Sequence, residues 1–196
     1  MRLTAILFTA LTLFAAKDPA PQGKLLLSDD FEGTAIDKAW RVAKGEWKQA
    51  GGALTGVELD ADKHAAVVRR KVDYKNATIQ LRFKLDGSRQ TSLSVNHAKG
   101  HLCRVIVRPE GFWIQLDPDK EKGTKADVMA RSKQPLKTGV WLDMTVTFAG
   151  TKMTAKIGDV VLIGDNPAIA GPKADVGLPV NGKSVSFDSI RVYGQN

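Results

Sequence analysis

The chain has 196 residues, of which 43% are hydrophobic and 26% charged; this ordinary globular balance excludes a disordered or low-complexity chain. Its 29 Lys and Arg against 21 Asp and Glu give a formal charge of +8. That excess is spread along the chain without a dense cluster and favours anionic partners such as an acidic polysaccharide over nucleic acid, for which no binding motif is present.

The chain opens on Met1-Arg2, a continuous apolar or small run over 3–14, Ala15-Ala16, and then charge at Lys17 and Asp18. This is the layout of a bacterial-type secretory signal peptide, with a leader at 1–20 and a cut after Ala16 or Ala20. The run falls short of the about 20 apolar residues that span a bilayer, so no membrane insertion is expected after cleavage. The expected location is secreted, periplasmic or cell-surface. The oligomeric state is left open.

Beyond a Pro-containing spacer, residues 24–196 read as a β-sandwich domain. Strands are predicted at 25–31 and 40–42, and then at 45–49 and 53–55 flanking Gly51-Gly52, which reads as a tight hairpin. Further strands are expected at 64–72 and 76–85. In the latter, Ile79, Leu81, Phe83 and Leu85 alternate with Thr78, Gln80, Arg82 and Lys84. Side chains on a strand point to opposite faces in turn, so such a run has one apolar and one wet face. Residues 91–96 follow.

Residues 101–107 and 112–116 are joined at Pro109-Glu110-Gly111. If Val107 lies opposite Phe112, then Cys103, Val105 and Val107 share an apolar face with Phe112, Ile114 and Leu116. Arg104, Arg108, Trp113, Gln115 and Asp117 take the other face. Residues 118–137 are rich in Lys and Asp, have little periodicity, and read as a long exposed loop. Strands at 141–148, 152–157 and 160–163 form a meander, and 174–179 and 184–193 close the domain. The expected fold is all-β: two antiparallel sheets packed face to face as a jelly-roll sandwich. Cys103 is the only cysteine; it is expected to be buried, and the core must hold the fold without a disulfide.

Several sites are open. The polar face just derived, with Arg82 added from 76–85, offers Trp113 for stacking, Arg82, Arg104 and Arg108 for acidic groups or hydroxyls, and Gln115 and Asp117 for orientation. That set suits an oligo- or polysaccharide. Glu58, Asp60 and Asp62 alternate and, placed on one strand face, would be catalytic carboxylates, with His101 as a general acid or base. His97 and His101 flank a turn where both rings can converge on a metal.

The order of landmarks is informative. Asp29-Asp30-Phe31-Glu32 comes first, then Trp40, then Gly45-Glu46-Trp47 with Gly52-Ala53-Leu54. Gly139-Val140-Trp141 leads into Thr145-Val146, and Val176-Gly177-Leu178 precedes Phe187-Asp188-Ser189-Ile190-Arg191-Val192. Over residues 25–194 this order resembles the concanavalin A-like lectin/glucanase superfamily, nearest to the secreted bacterial 3-keto-disaccharide hydrolase domain, a relative of family 16 glycoside hydrolases. The resemblance implies the jelly-roll sandwich with a glycan on its concave sheet. It also implies a possible structural Ca²⁺ held by Asp188 with backbone carbonyls near Phe31 and Gly52, no other cofactor being required.

The family 16 motif Glu-x-Asp-x-x-Glu is incomplete here. Glu58-Leu59-Asp60-Ala61-Asp62 is followed by Lys63 where the last Glu belongs. The related domains' Ser-Gly-x-x-x-Arg strand is replaced by Ser92-Leu93-Ser94-Val95-Asn96, and Arg104 stands where an acid is expected. Three classes follow: a carbohydrate-binding domain, a glycoside hydrolase of the 3-keto-disaccharide or family 16 type, and a non-catalytic surface scaffold.

Overall fold

Alternation of apolar and polar side chains drives nearly the whole chain into strands. The computed structural model describes residues 23–119 and 121–195; the leader expected at 1–20 lies outside them. In chain order the strands are β1 (Lys24–Asp29), β2 (Trp40–Lys44), β3 (Glu46–Ala50), β4 (Ala53–Val57), β5 (Ala66–Tyr74), β6 (Asn76–Leu85), β7 (Ser88–His97), β8 (Gly100–Arg108), β9 (Gly111–Leu116), β10 (Asp127–Ser132), β11 (Trp141–Ala149), β12 (Lys152–Ile157), β13 (Val160–Asp165), β14 (Lys173–Gly182) and β15 (Val185–Gln195). Two short 3-10 turns, Asp60–Asp62 and Pro167–Ala170, interrupt them.

The strands form two antiparallel sheets. The first runs β13-β12-β11-β6-β15-β4-β3, with β1 also paired to β15, and the second runs β10-β9-β8-β7-β14-β5-β2. This is the predicted all-β jelly-roll sandwich. Ile79, Leu81, Phe83, Met144, Val146 and Phe148 face inward from the first sheet. Leu93, Val95, Val105, Val107, Phe112 and Ile114 face them from the second, and all are buried. Burying each large side chain contributes about 1.5–3 kcal/mol, so a core this size holds the sandwich without a disulfide. Cys103 is fully buried there, and burial pushes its thiol up to about 12, which leaves it inert.

Two hairpins lock the register. Gly51 and Gly52 both have positive φ, 59° and 72°, as a two-residue hairpin turn requires, and Ala50 pairs with Ala53. At the second corner Val107 pairs with Phe112 and Arg104 with Gln115, the alignment expected from the apolar pattern.

The early landmarks are structural. Asp29 accepts from the Trp40 indole at 2.7 Å, from Arg70 at 3.2 Å and from the Phe31 amide at 3.0 Å, and Phe31 and Trp40 are both buried. Trp47 stacks on Phe187, with ring centroids 6.3 Å apart.

One element departs from expectation. Residues 118–137 are not all loop, because β10 pairs along β9 as an edge strand. Its inward contact is Met129, whose side chain lies against Gly164 of β13, where a Cβ would fall 2.9 Å from the Met129 Cβ. An edge strand needs only one partner and little apolar surface, so its composition mimics a loop.

Candidate functional site

The outer face of the second sheet carries one continuous cross-strand row: Arg41, Arg69, Gly177, Ser94, Arg104 and Gln115 pair in succession across β2, β5, β14, β7, β8 and β9. Small residues at its centre let long side chains lie flat across the sheet. A Cβ on Gly177 would sit 2.9 Å from Arg69 Nη1 and 3.2 Å from its Cζ, so the guanidinium rests directly over the glycine.

Two hydrogen-bonded chains fix the polar groups. In the first, Arg104 donates through Nε and Nη2 to Asp117 Oδ2 at 2.9 and 2.6 Å. Gln115 Nε2 donates to Asp117 Oδ1 at 3.1 Å, and the Trp113 indole reaches Gln115 Oε1 at 3.4 Å. The Asp117 side chain is 1% exposed and that of Arg104 24%, so the carboxylate is an internal anchor and the guanidinium the presented group. In the second chain, Arg69 Nη1 donates to Asp175 Oδ1 at 3.0 Å. Asn96 Nδ2 donates to Asp175 Oδ2 at 3.2 Å, and Asn96 Oδ1 meets His101 Nδ1 at 3.0 Å.

That last contact sets the state of His101. With its amide nitrogen committed to Asp175, Asn96 offers an acceptor, so the neutral ring keeps its proton on Nδ1 and a lone pair on Nε2. Partial burial first, and then the charges of Arg69 and Arg104, hold the imidazole below its usual 6.5. His101 and Arg104 open onto a cleft of about 610 Å³, closed by Pro118 and Asp119 after β9 and by Ala168, Gly171 and Pro172.

Trp113 sits at the other end of the face. The Arg108 and Arg131 guanidinium carbons lie 5.2 and 4.7 Å from its ring centroid. The indole is therefore engaged with two cations rather than bare for stacking on a sugar.

The remaining expected residues go elsewhere. Arg82 and Gln80 belong to β6 of the first sheet, and Arg82 faces Asp188 at 3.6 Å and Asp143 at 3.9 Å. Alternation tells which face a residue takes but not which sheet, and β6 and β7 pass from one sheet to the other through Asp86-Gly87. Asp188 is the bulged residue between Phe187 and Ser189, and its carboxylate is turned to an arginine. The Glu32 carboxylate comes against Gly52, where a Cβ would lie 3.0 Å from its Oε1. Among the described residues no group of three or more His, Cys, Asp or Glu is gathered to hold a metal ion. Nor do the histidines converge, because His97 Nδ1 accepts from the Lys99 amide while His101 turns to Asn96.

Glu58, Asp60 and Asp62 do not share a strand face, since Asp60–Asp62 is a 3-10 turn. Asp62 Oδ2 accepts from the Gly45 amide at 2.6 Å, and this bond leads in holding its carboxyl below the usual value. Glu58 Oε2 accepts from the Gly182 amide at 2.6 Å and from Arg89 at 3.0 Å. Arg89 and Asn96, the partner of His101, lie seven positions apart on β7, about 23 Å at strand rise. The acids and His101 thus do not form one constellation. Arg69, Asn96, Asp175 and Arg131 join the face without having been expected there. The alternation of Ser92, Ser94 and Asn96 was the available signal for β7, whereas Arg131 was hidden by the unrecognised edge strand.

Solved structures share the architecture. The carbohydrate binding module CBM66 from Bacillus subtilis is 14% identical with a TM-score of 0.65, over 80% of this chain and 96% of that one. The laminarinase from Rhodothermus marinus is 11% identical with a TM-score of 0.67, over 90% and 99%. The GlcNAcα1-4Gal releasing endo-β-galactosidase from Clostridium perfringens is 12% identical with a TM-score of 0.70, over 92% and 66%. At these identities the likeness concerns the fold alone. No curated protein matches the chain. The family model described as the 3-keto-alpha-glucoside-1,2-lyase-like domain matches residues 27–193, and the chain belongs to that family.

Proposed function

We propose that the chain is an exported domain that binds an anionic oligo- or polysaccharide along the outer face of its second sheet. The observation carrying this reading is the pair of hydrogen-bonded chains that hold Arg104, Gln115, Asn96 and Arg69 beside the cleft. Sugar hydroxyls need planar donors and acceptors at fixed positions, and groups already immobilised lose little entropy on binding. The charge of +8 favours an acidic glycan over a neutral one. The signal-peptide pattern of residues 1–20 supports export. A glycan array followed by titration calorimetry tests the reading. Gln115→Ala is expected to weaken binding about tenfold, the size of one or two lost hydrogen bonds in a dry site. Silence of the array across neutral and acidic sugars overturns it.

A second reading is favoured by His101. A lone pair on Nε2, a depressed pKa and two flanking guanidiniums suit proton abstraction beside a carbonyl. On a 3-keto-glucoside, the substrate class in the family's description, Nε2 would take the C2 hydrogen. The C1–O bond then breaks as C1=C2 forms, and the departing oxygen takes a proton from water. His101→Gln should cut turnover of a 3-keto-α-glucoside at least about 100-fold. The base form is required, so the wild-type rate should fall as pH drops through a value below 6.5. Equal turnover by His101→Gln removes this reading.

A further inference from the structure

We infer that the Arg108–Trp113–Arg131 bracket is a subsite for the ligand's acidic group, a carboxylate or sulfate ester, set apart from the cleft at His101. The inference rests on the saccharide-binding reading and says where the charge goes. The strand register builds the bracket: Ile106, Trp113 and Arg131 pair in succession across β8, β9 and β10, and Arg108 is two positions along β8 on the same face. Both guanidiniums pack on one indole, and Gln90 Oε1 fixes Arg108 by accepting its Nε–H at 2.9 Å. A guanidinium held this way keeps its planar fork oriented and its Nη donors outward.

Charge balance separates the two ends of the face. Arg69 and Arg104 are each neutralised by an aspartate. Among the described residues neither Arg108 nor Arg131 forms an ion pair with a carboxylate, and Lys133 joins them around a cavity of about 800 Å³ whose one acid is Glu110. Two oriented forks without an internal counter-ion form a seat for an oxyanion. Seven positions of β8 separate His101 from Arg108, about 23 Å at strand rise. A ligand touching both ends must therefore be several sugar rings long, with its acidic group at the bracket end.

Titration calorimetry with oligogalacturonides of increasing length, their carboxyl-reduced counterparts and sulfated carrageenan oligosaccharides tests this directly. Wild type should prefer acidic over reduced chains about tenfold or more, with affinity rising with length until both ends are engaged. The preference should weaken with added salt. The double variant R108Q/R131Q should lose that preference. R108K/R131K, which keeps the charge but not the fork, should regain only part of it. The uronate and sulfate arms tell which oxyanion is seated. If reduced chains bind as well as acidic ones, or the double variant keeps the preference, the subsite is wrong while the saccharide reading stands. If no chain of either kind binds wild type, both fall.

Discussion

Replacing Asp117 by alanine is expected to lower stability by about 2–3 kcal/mol and to weaken glycan binding more than tenfold. The carboxylate is buried and accepts three hydrogen bonds, two from Arg104 and one from Gln115. Removing one partner of a buried pair typically costs about 3–5 kcal/mol, because the other charge is stranded. The Arg104 side chain keeps 24% exposure, so water recovers part of that loss, which sets the lower figure. The effect should be non-additive: the double variant D117L/R104M should be more stable than either single change predicts, since neither charge is then left alone. Urea unfolding of the four proteins measures this cycle. A loss below about 0.5 kcal/mol in Asp117→Ala would place the pair among weak surface contacts.

Lys173→Met should be the other large effect, a loss of about 2–4 kcal/mol. Lys173 is 1% exposed, and its ammonium donates to the backbone carbonyls of Lys75 at 2.7 Å, Gly171 at 3.0 Å and Ile169. It also lies 4.9 Å from the Phe148 ring centroid. Three donors meet three acceptors, so methionine fills the volume but leaves every one of those carbonyls unpartnered. Burial lowers the lysine's pKa, and that desolvation cost of the native charge keeps the net loss well under the sum of three hydrogen bonds. Ile169 and Gly171 belong to the segment that closes the cleft, so amide exchange over 168–171 should accelerate in the variant. Unchanged exchange there would show that the lysine does not hold the wall.

Local periodicity made the fold legible. Ile79 to Leu85 and Met144 to Phe148 alternate cleanly because each strand buries one face only, and the corners at Gly51-Gly52 and Pro109-Glu110 fixed two registers outright. The grouping of Arg104, Arg108, Trp113, Gln115 and Asp117 followed from that second corner alone. Arg82 failed for a different reason: its outward face was readable, but its sheet depends on β6 pairing with β11 and β15, contacts far apart in sequence. Arg131 was invisible because β10 earns its place through backbone pairing to β9 rather than through an apolar stripe. Glu58, Asp60 and Asp62 had strand-like spacing, but the left-handed conformation at Lys63 (φ 47°) closes a 3-10 turn there instead. The Asp62 and Glu58 carboxylates serve the backbone amides of Gly45 and Gly182. The role of Asn96 in orienting His101 requires the bulge between Val95 and Asn96, which no local pattern announces.

The most direct test is amide chemical-shift mapping during titration with an acidic oligosaccharide that the array has selected. Shifts are expected at Ser94, Asn96, His101, Arg104, Trp113 and Gln115, which occupy one face of β7, β8 and β9, with the outer face of the first sheet around Arg82 and Arg191 silent. Saturable shifts centred on Arg82, Trp141 and Arg191 instead would put the ligand on the opposite side of the sandwich and contradict the account.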